Sequence, residues 1–551
     1  MFYDLNEKQQ SWADSVFDSL TMEEKVAQLL HPNFSGQSDS DLQKLFQKVS
    51  VGSFFTGTSD FEVMRKRHEI IQKSSKVPVL ISADMENGTN MIKDKNIMFP
   101  TQMGLGACNN PEYAYMMGKL TARLSRTAGV HWTFSPVADL NLNPQNPITN
   151  SRSLGDKKSA VIPLLKEIIR GLQEDQLMAA TCKHFPGDGV DDRDQHMLVS
   201  VNSLPVEQWE KLYGEVWKNV ISAGTKAIMS GHISFPDYQG MRHYPDNALP
   251  ATFCAKLQKE LLREKLKFNG VIVSDAFPMV GFTCRYPAEE LAWRNIAAGS
   301  DSVLFCDPVL DYQRLLSALK KGLISDEQVE NSARRIIELK ASLNLFEDCF
   351  GPEMSDEEFE EGRGYAQKVA DSSVTVLRPA ACGSQVLMPG KDKKVLTVTL
   401  ERVGTTATLS ELPVVDEELK KRGFEVDHLF NPDPSQLREA MKTYDRIFIN
   451  FNIFSHAGLV LRSVGKPAMA FWRCFFTEDP SKVVFTSFGS PYVLYDHPYL
   501  PNLTCVWGRS DSCQRSAVKL WCGEVVPQGT LPVNVKQTQV KALELSEEYY
   551  L

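Results

Sequence analysis

LMAATCKHFPGDGVDDRDQH, residues 177–196, changes character once along its length. Leu177 to Cys182 are apolar or small, the composition of a strand buried on both faces. From Lys183 onward two histidines, a lysine, an arginine and four aspartates crowd together, interrupted by Pro186, Gly187 and Gly189. A buried strand that empties into a titratable loop at its carboxyl end is the repeating unit of parallel α/β enzymes. The fold therefore turns on whether the unit recurs.

It does, from about residue 25 to residue 345. Eight apolar runs alternate with longer amphipathic stretches: AQLL (from Ala27), VGSFF (from Val51), VPVLIS (from Val77), HWTFS (from His131), LMAATC itself, KAIMSG (from Lys226), GVIVS (from Gly270) and SVLF (from Ser302). That arithmetic predicts a (β/α)8 TIM-type barrel. Thr21 to Glu24, Ser325 to Gln328 and Ser355 to Glu358 have the capping-box pattern and mark helix starts. An acidic, Gly/Pro-punctuated stretch around FEDCFGPEMSDEEFEEGRG ends the barrel domain near residue 350, and a linking helix and strand fill 351–380. From 381 to 551 a second alternation follows: KVLTVTLE, DRIFINFN, PAMAFW, KVVFTSFGSPYVL and NLTCVWG, with DPSQLREAMKTYD as a helix between two of them. This predicts an α/β sandwich domain.

Composition bounds the function. A chain of 551 residues exceeds what one core organises, and a net charge of −9 opposes broad nucleic-acid or anionic-membrane binding. The first residues lack a signal-peptide pattern and no apolar run is of membrane-spanning length, so the expectation is a cytoplasmic protein. Eleven cysteines without CxxC spacing read as reduced, buried thiols and not as a zinc cage. A small molecule is the expected partner, and a homodimer is left open.

The residues after the strands carry the chemistry. Asp84 and Glu86 follow the third run, Asp139 the fourth, Lys183 and His184 the fifth, His232 the sixth, Asp275 the seventh and Asp307 the eighth. Each alone is compatible with a helix cap or turn; at one level of a barrel they make a rim where a polar ligand binds. In the loop after the fifth strand, Gly187 and Gly189 are expected to give freedom to swing over the mouth. Asp194 and His196, one residue apart, can face each other as carboxylate and imidazole, which would fix one tautomer and favour the protonated ring; a solvated charge cluster fits the same spacing.

KHFPGDG with the downstream Asp-x-His, together with DMEN, SRSLGD, SGHISFP, VSDAF and AAGSDSVLF in that order, resembles glycoside hydrolase family 3, in its β-N-acetylglucosaminidase branch. The late FGSPYVL and GEVVPQGTLPVNV are similar to the sandwich domain of two-domain members. The resemblance implies removal of terminal β-linked N-acetylglucosamine by a retaining double displacement, with Asp275 as nucleophile and His196, paired with Asp194, as acid and base. It implies sugar binding by Asp84, Arg152, Lys183, His184 and His232, and no cofactor or metal. Asn87 where the family has glycine, Asp188 where histidine is frequent, and Gln195 inside Asp-x-His depart from the pattern and bear on aglycone preference. A phosphorolytic or β-glucosidase-like member, a metal-dependent hydrolase ligated by His184, His196, His232 and Asp275, and a non-catalytic sugar-binding protein are the rival readings.

Overall fold

The computed structural model describes residues 2–33, 37–379, 387, 393–401, 412–454, 480–498, 500 and 502–535. Two compact units emerge: Met1–Met98 with Asn110–Arg363, and Phe99–Asn109 with Gly364–Leu551.

All eight apolar runs of the first unit meet a strand. They are β1 (Leu30–His31), β2 (Ser53–Phe55), β3 (Leu80–Ala83), β4 (Trp132–Thr133), β5 (Ala179–Phe185), β7 (Ala227–Ser230), β9 (Val271–Ser274) and β10 (Val303–Leu304). A parallel sheet has the order β2-β3-β4-β5-β7-β9, and β1 pairs with β10 in parallel. Parallel bridges Asn33–Phe55 and Val273–Ser302 join the two sets, so the eight strands form a continuous ring. Their side chains, among them Phe55, Trp132, Met229 and Val273, fill a core shared with Phe134 and with Ile336 and Leu339 of the helix Asp326–Ser342.

Three details differ from the sequence reading. The first half of AQLL is helical, because Thr21 and Glu24 cap the helix Met22–Gln28 reciprocally and it runs to the edge of β1. The strand β5 extends beyond LMAATC through Phe185, carrying Lys183 and His184 inside it, with cis peptides at Lys183–His184 and Phe185–Pro186. An added parallel pair, β6 (Ser200–Val201) with β8 (Ile233–Ser234), ties the far end of the 183–196 segment back to the chain after β7.

In the second unit β11 (Thr375–Arg378), β12 (Lys394–Leu400), β13 (Glu425–Phe430), β14 (Arg446–Phe451), β15 (Val483–Ser487) and β16 (Leu503–Cys505) form one sheet, order β11-β16-β15-β14-β12-β13, antiparallel only at the β11 edge. The period-2 pattern buries both faces: Leu396, Val398, Ile447, Ile449 and Phe485 enter one core, while Val395, Phe448 and Val484 meet the helices Pro413–Lys421 and Asp511–Trp521 on the other. Met103 and Ala107, on the helix Gln102–Cys108, belong to the first of these cores. Thr101 N–H donates to the Trp507 carbonyl at 2.8 Å and Thr530 N–H to the Ala107 carbonyl at 2.9 Å. PAMAFW lies outside the described residues. The cysteines among the described residues are free thiols, and no described helix is long and apolar enough to cross a membrane.

Candidate active site

The carboxyl ends of β3, β4, β5 and β9 bring four groups together. Asp139, after β4, is the first anchor. Its carboxylate accepts from the backbone N–H of His184 at 3.1 Å and of Asp188 at 2.7 Å, and from His184 Nδ1 at 2.7 Å. His184 is thereby fixed with Nδ1 occupied, and its Nε2 lies 3.9 Å from Asp275 Oδ2. Asp275, after β9, has its own N–H on the Ser230 carbonyl of β7 and accepts from Ala276 N–H at 2.7 Å. Burial opposes its ionisation, but the His184 and His232 imidazoles and the Ala276 N–H outweigh burial and hold the carboxyl below its usual range.

The second group is an ion-pair chain. Lys183 Nζ sits 3.0 Å from Asp84 Oδ1 and 2.7 Å from Glu86 Oε1. Glu86 also takes a bidentate pair from Arg152, at 3.0 Å to Nε and 2.6 Å to Nη2. Glu86 is the hub: burial works against its charge, yet Arg152 and Lys183 keep its carboxyl far below the usual range. Burial works against the charges of Lys183 and Arg152, but these carboxylates push both up. Asp84 and Arg152 remain partly exposed, while Lys183 is covered.

The third group is the dyad. Asp194, buried, accepts at one oxygen from His196 N–H at 2.8 Å and from His196 Nδ1 at 2.7 Å. The Asp-x-His spacing alone makes this possible, because a single residue lets the carboxylate fold back onto both donors of the residue two places on. Burial disfavours the charged ring, but the Asp194 hydrogen bond and the Asp275 charge overcome it, so His196 holds its proton above the ordinary histidine range. Its side chain is 41% exposed. His196 and Asp275 thus influence each other electrostatically while one faces outward and the other stays buried.

The fourth group fixes the segment that carries the dyad. Trp209 and Trp217 both donate their indole N–H to the Pro186 carbonyl, at 2.9 and 3.1 Å, and Asn202 donates to the Gly187 carbonyl at 3.0 Å. Gly187 (φ +130°) and Gly189 (φ +99°) are not hinges here. A Cβ would meet the Tyr213 ring at the first and the Leu140 carbonyl oxygen, 1.9 Å away, at the second. The glycines are required by close approach and backbone angle, and the root of the loop is pinned. Beyond it, Val280 N–H donates to the His196 carbonyl at 2.8 Å.

Two expected residues do not face the opening. His232 is fully buried, with Nδ1 3.2 Å from Thr252 Oγ1 and Nε2 3.0 Å from the Ala276 carbonyl; it backs the Asp275 segment instead of presenting a group to a sugar. Asp307 accepts from the N–H groups of Val309 and Leu310 and so caps the helix Leu310–Lys320. Conversely, Glu86 and Asp139 hold the site together although only their strand-end position marked them, and Asp188 joins them: buried against Asp139, its carboxyl is pushed up to about 7. Among the described residues no three His, Cys, Asp or Glu side chains are placed to hold a metal ion. The ring nitrogens explain why: His184 Nδ1 and both nitrogens of His232 are committed to protein partners.

Comparison with known proteins agrees with this architecture. The sequence model of the "Glycosyl hydrolase family 3 N terminal domain" matches residues 21–339. A Cellulomonas fimi protein named "Beta-N-acetylglucosaminidase/beta-glucosidase" is 28% identical over 551 residues, covering 95% of each chain. Among solved structures, a beta-glucoside phosphorylase BglX bound to 2FGlc superposes with a TM-score of 0.87 at 28% identity, covering 97% of both chains. The glycoside hydrolase family 3 beta-N-acetylglucosaminidase of Paenibacillus sp. str. FPU-7 superposes with a TM-score of 0.83 at 26% identity, over 94% of this chain and 100% of that one. With more than half its length matched by the family and the strand-end carboxylates and imidazoles gathered into one site, the chain belongs to glycosyl hydrolase family 3 and is a glycosidase.

Proposed function

We propose that this glycosidase removes terminal β-linked N-acetylglucosamine with retention of configuration. The observation that carries the reading is the Asp194–His196 pair, 2.7 Å across, within the electrostatic reach of Asp275. Asp275, kept ionised, attacks the anomeric carbon while His196 gives its proton to the glycosidic oxygen, so the bond to the leaving group breaks as a glycosyl ester forms. His196, now neutral, then takes a proton from water; the water oxygen bonds to the same carbon and Asp275 departs as carboxylate. Asp194 keeps the imidazole oriented and its charged form populated, which lets a histidine do what a second carboxylic acid does in most glycosidases.

Asp84, Arg152, Lys183 and His184 hold the sugar hydroxyls through charge-assisted hydrogen bonds, and Glu86 and Asp139 keep those four in position. His232 acts behind Asp275. The N-acetylglucosaminide preference is supported by the names of the Cellulomonas and Paenibacillus relatives and by the acid/base lying in the barrel loop. A panel of nitrophenyl glycosides, N-acetylglucosaminide against glucoside, xyloside and N-acetylgalactosaminide, tests it on the wild type and His196→Ala. The expected result is N-acetylglucosaminide preference and loss of most turnover in the variant; dominance of the glucoside rejects the sugar assignment.

Phosphorolysis is the second reading, favoured by the similarity to a protein titled a phosphorylase. A neutral histidine in the second step repels phosphate less than a carboxylate would. Free sugar as sole product in phosphate buffer decides for hydrolysis; sugar 1-phosphate decides against it.

A further inference from the structure

An acid that protonates the leaving oxygen must stand on the leaving-group side of the scissile bond, so exposed side chains next to His196 stand beside the aglycone. The next two residues are Met197 and Leu198, 54% and 42% exposed. Val280, whose N–H binds the His196 carbonyl, is 42% exposed. Its neighbour Gly281 is pressed against the carbonyl oxygens of Gln195 and Leu198, so the two segments run side by side. A third segment joins them. Arg193 Nη1 lies 3.2 Å from Asp246 Oδ1, and Arg285 Nη2 donates to the Asp246 and Ala248 carbonyls at 3.0 Å each. That segment presents Met241 and Tyr244, 69% exposed in the case of Tyr244.

Three large apolar side chains on two adjoining segments beside one acid group, with Met241 and Tyr244 on a third segment tied to them, are costly to leave in water, and continuity with the site says what covers them. We propose that Met197, Leu198 and Val280, flanked by Met241 and Tyr244, form the aglycone subsite and select leaving groups with an apolar face, such as an aryl or branched alkyl ring, over hydroxylated ones. The sugar-binding groups act by charge and hydrogen bonds; the exposed side chains next to the acid, Met197, Leu198 and Val280, are apolar. Specificity is divided accordingly. This assignment rests on His196 as the acid.

The test uses phenyl glycosides of whichever sugar the wild type turns over fastest, with 4-tert-butyl or 4-hydroxymethyl groups on the ring. These leaving groups have nearly the same acidity, so they demand the same help from His196 and differ in apolar contact. The full chain is expected to favour the tert-butyl compound about tenfold in kcat/KM, the lower range for one or two extra hydrocarbon groups in an apolar pocket. In the variant carrying Met197→Ser, Leu198→Gln and Val280→Ser that ratio falls toward one, with the hydroxymethyl substrate within about twofold of wild type. A ratio near one in the wild type, or an equal loss on both substrates in the variant, overturns the proposal. Failure of the acid assignment would show separately, as undiminished turnover in His196→Ala.

Discussion

Replacing Asp194 with asparagine isolates the charge of the dyad from its geometry. Asparagine keeps an oxygen where Oδ1 accepts from the His196 N–H, 2.8 Å away, so the backbone turn survives. What is lost is the ionic partner of Nδ1 at 2.7 Å, and Asp194 is buried, so solvent does not screen it. A hydrogen bond to a charged group contributes about 1.5–3 kcal/mol. At 1.36 kcal/mol per tenfold, that is a loss of roughly 10- to 150-fold in any step in which His196 must carry a proton. The assay is kcat/KM against pH with two aryl glycosides of the preferred sugar, one with an acidic leaving group and one with a basic leaving group. A dinitrophenolate leaves without a proton, so the loss should fall mainly on the phenyl substrate. The pH profile must move as well. On the proposed mechanism the wild type's alkaline limb belongs to His196, whose proton Asp194 and Asp275 hold against the effect of burial. Without the Asp194 charge, burial is opposed only by Asp275, and the alkaline limb moves to lower pH. An unmoved alkaline limb, or equal losses on both substrates, refutes the pairing of Asp194 with the acid.

Three further perturbations probe the supporting structure. Glu86→Gln removes the charge shared by Arg152 and Lys183, and thermal denaturation should show destabilisation toward the lower end of about 3–5 kcal/mol, because Asp84 still faces Lys183; KM should rise more than kcat falls. Gly189→Ala adds a Cβ 1.9 Å from the Leu140 oxygen at φ +99°, and should lose more than about 2 kcal/mol in a denaturant titration, against about 1 kcal/mol for Gly224→Ala, where φ is +82° but no atom lies within 4 Å. Asp188→Asn should gain stability over wild type progressively as pH rises through the interval from the ordinary carboxylate range to about 7, with no further gain above it. Burial and the Asp139 charge make folded Asp188 keep a proton that the unfolded chain has already released, so wild-type stability falls with rising pH across that interval and an asparagine has nothing to release. A stability difference that stays constant from pH 4 to pH 8 would contradict this.

The sheet of the first unit was legible because its strands are buried on both faces and read as apolar runs, β5 departing from this only where Lys183 and His184 enter it. What escaped was of another kind. EVDHLF, β13, has its apolar residues interrupted by Glu425, Asp427 and His428; as an edge strand, bonded only to β12, it has no need of a continuous run. The pair β6 and β8 is two residues long on each side, too short for any period. Within the site, Asp194 and His196 were readable because their contact is local, two residues apart. The hub role of Glu86 was not, since it depends on Arg152 and Lys183, 66 and 97 positions away. His232 and Asp275 both follow a strand end, and only the positions of Thr252 and Ala276 turn one ring inward. Asp307 looked like its neighbours until the N–H groups of the following helix claimed it.

The eleven residues Phe99–Asn109 lie early in the chain yet complete a core whose other members begin after residue 363. During synthesis this segment leaves the ribosome long before Trp507 and Thr530, the residues that receive it, exist. Met103 and Ala107 must therefore wait uncovered, and a protein shortened at the apparent boundary would display them permanently. The first unit is in this sense not a separable gene fragment: no single cut in the polypeptide divides one unit from the other.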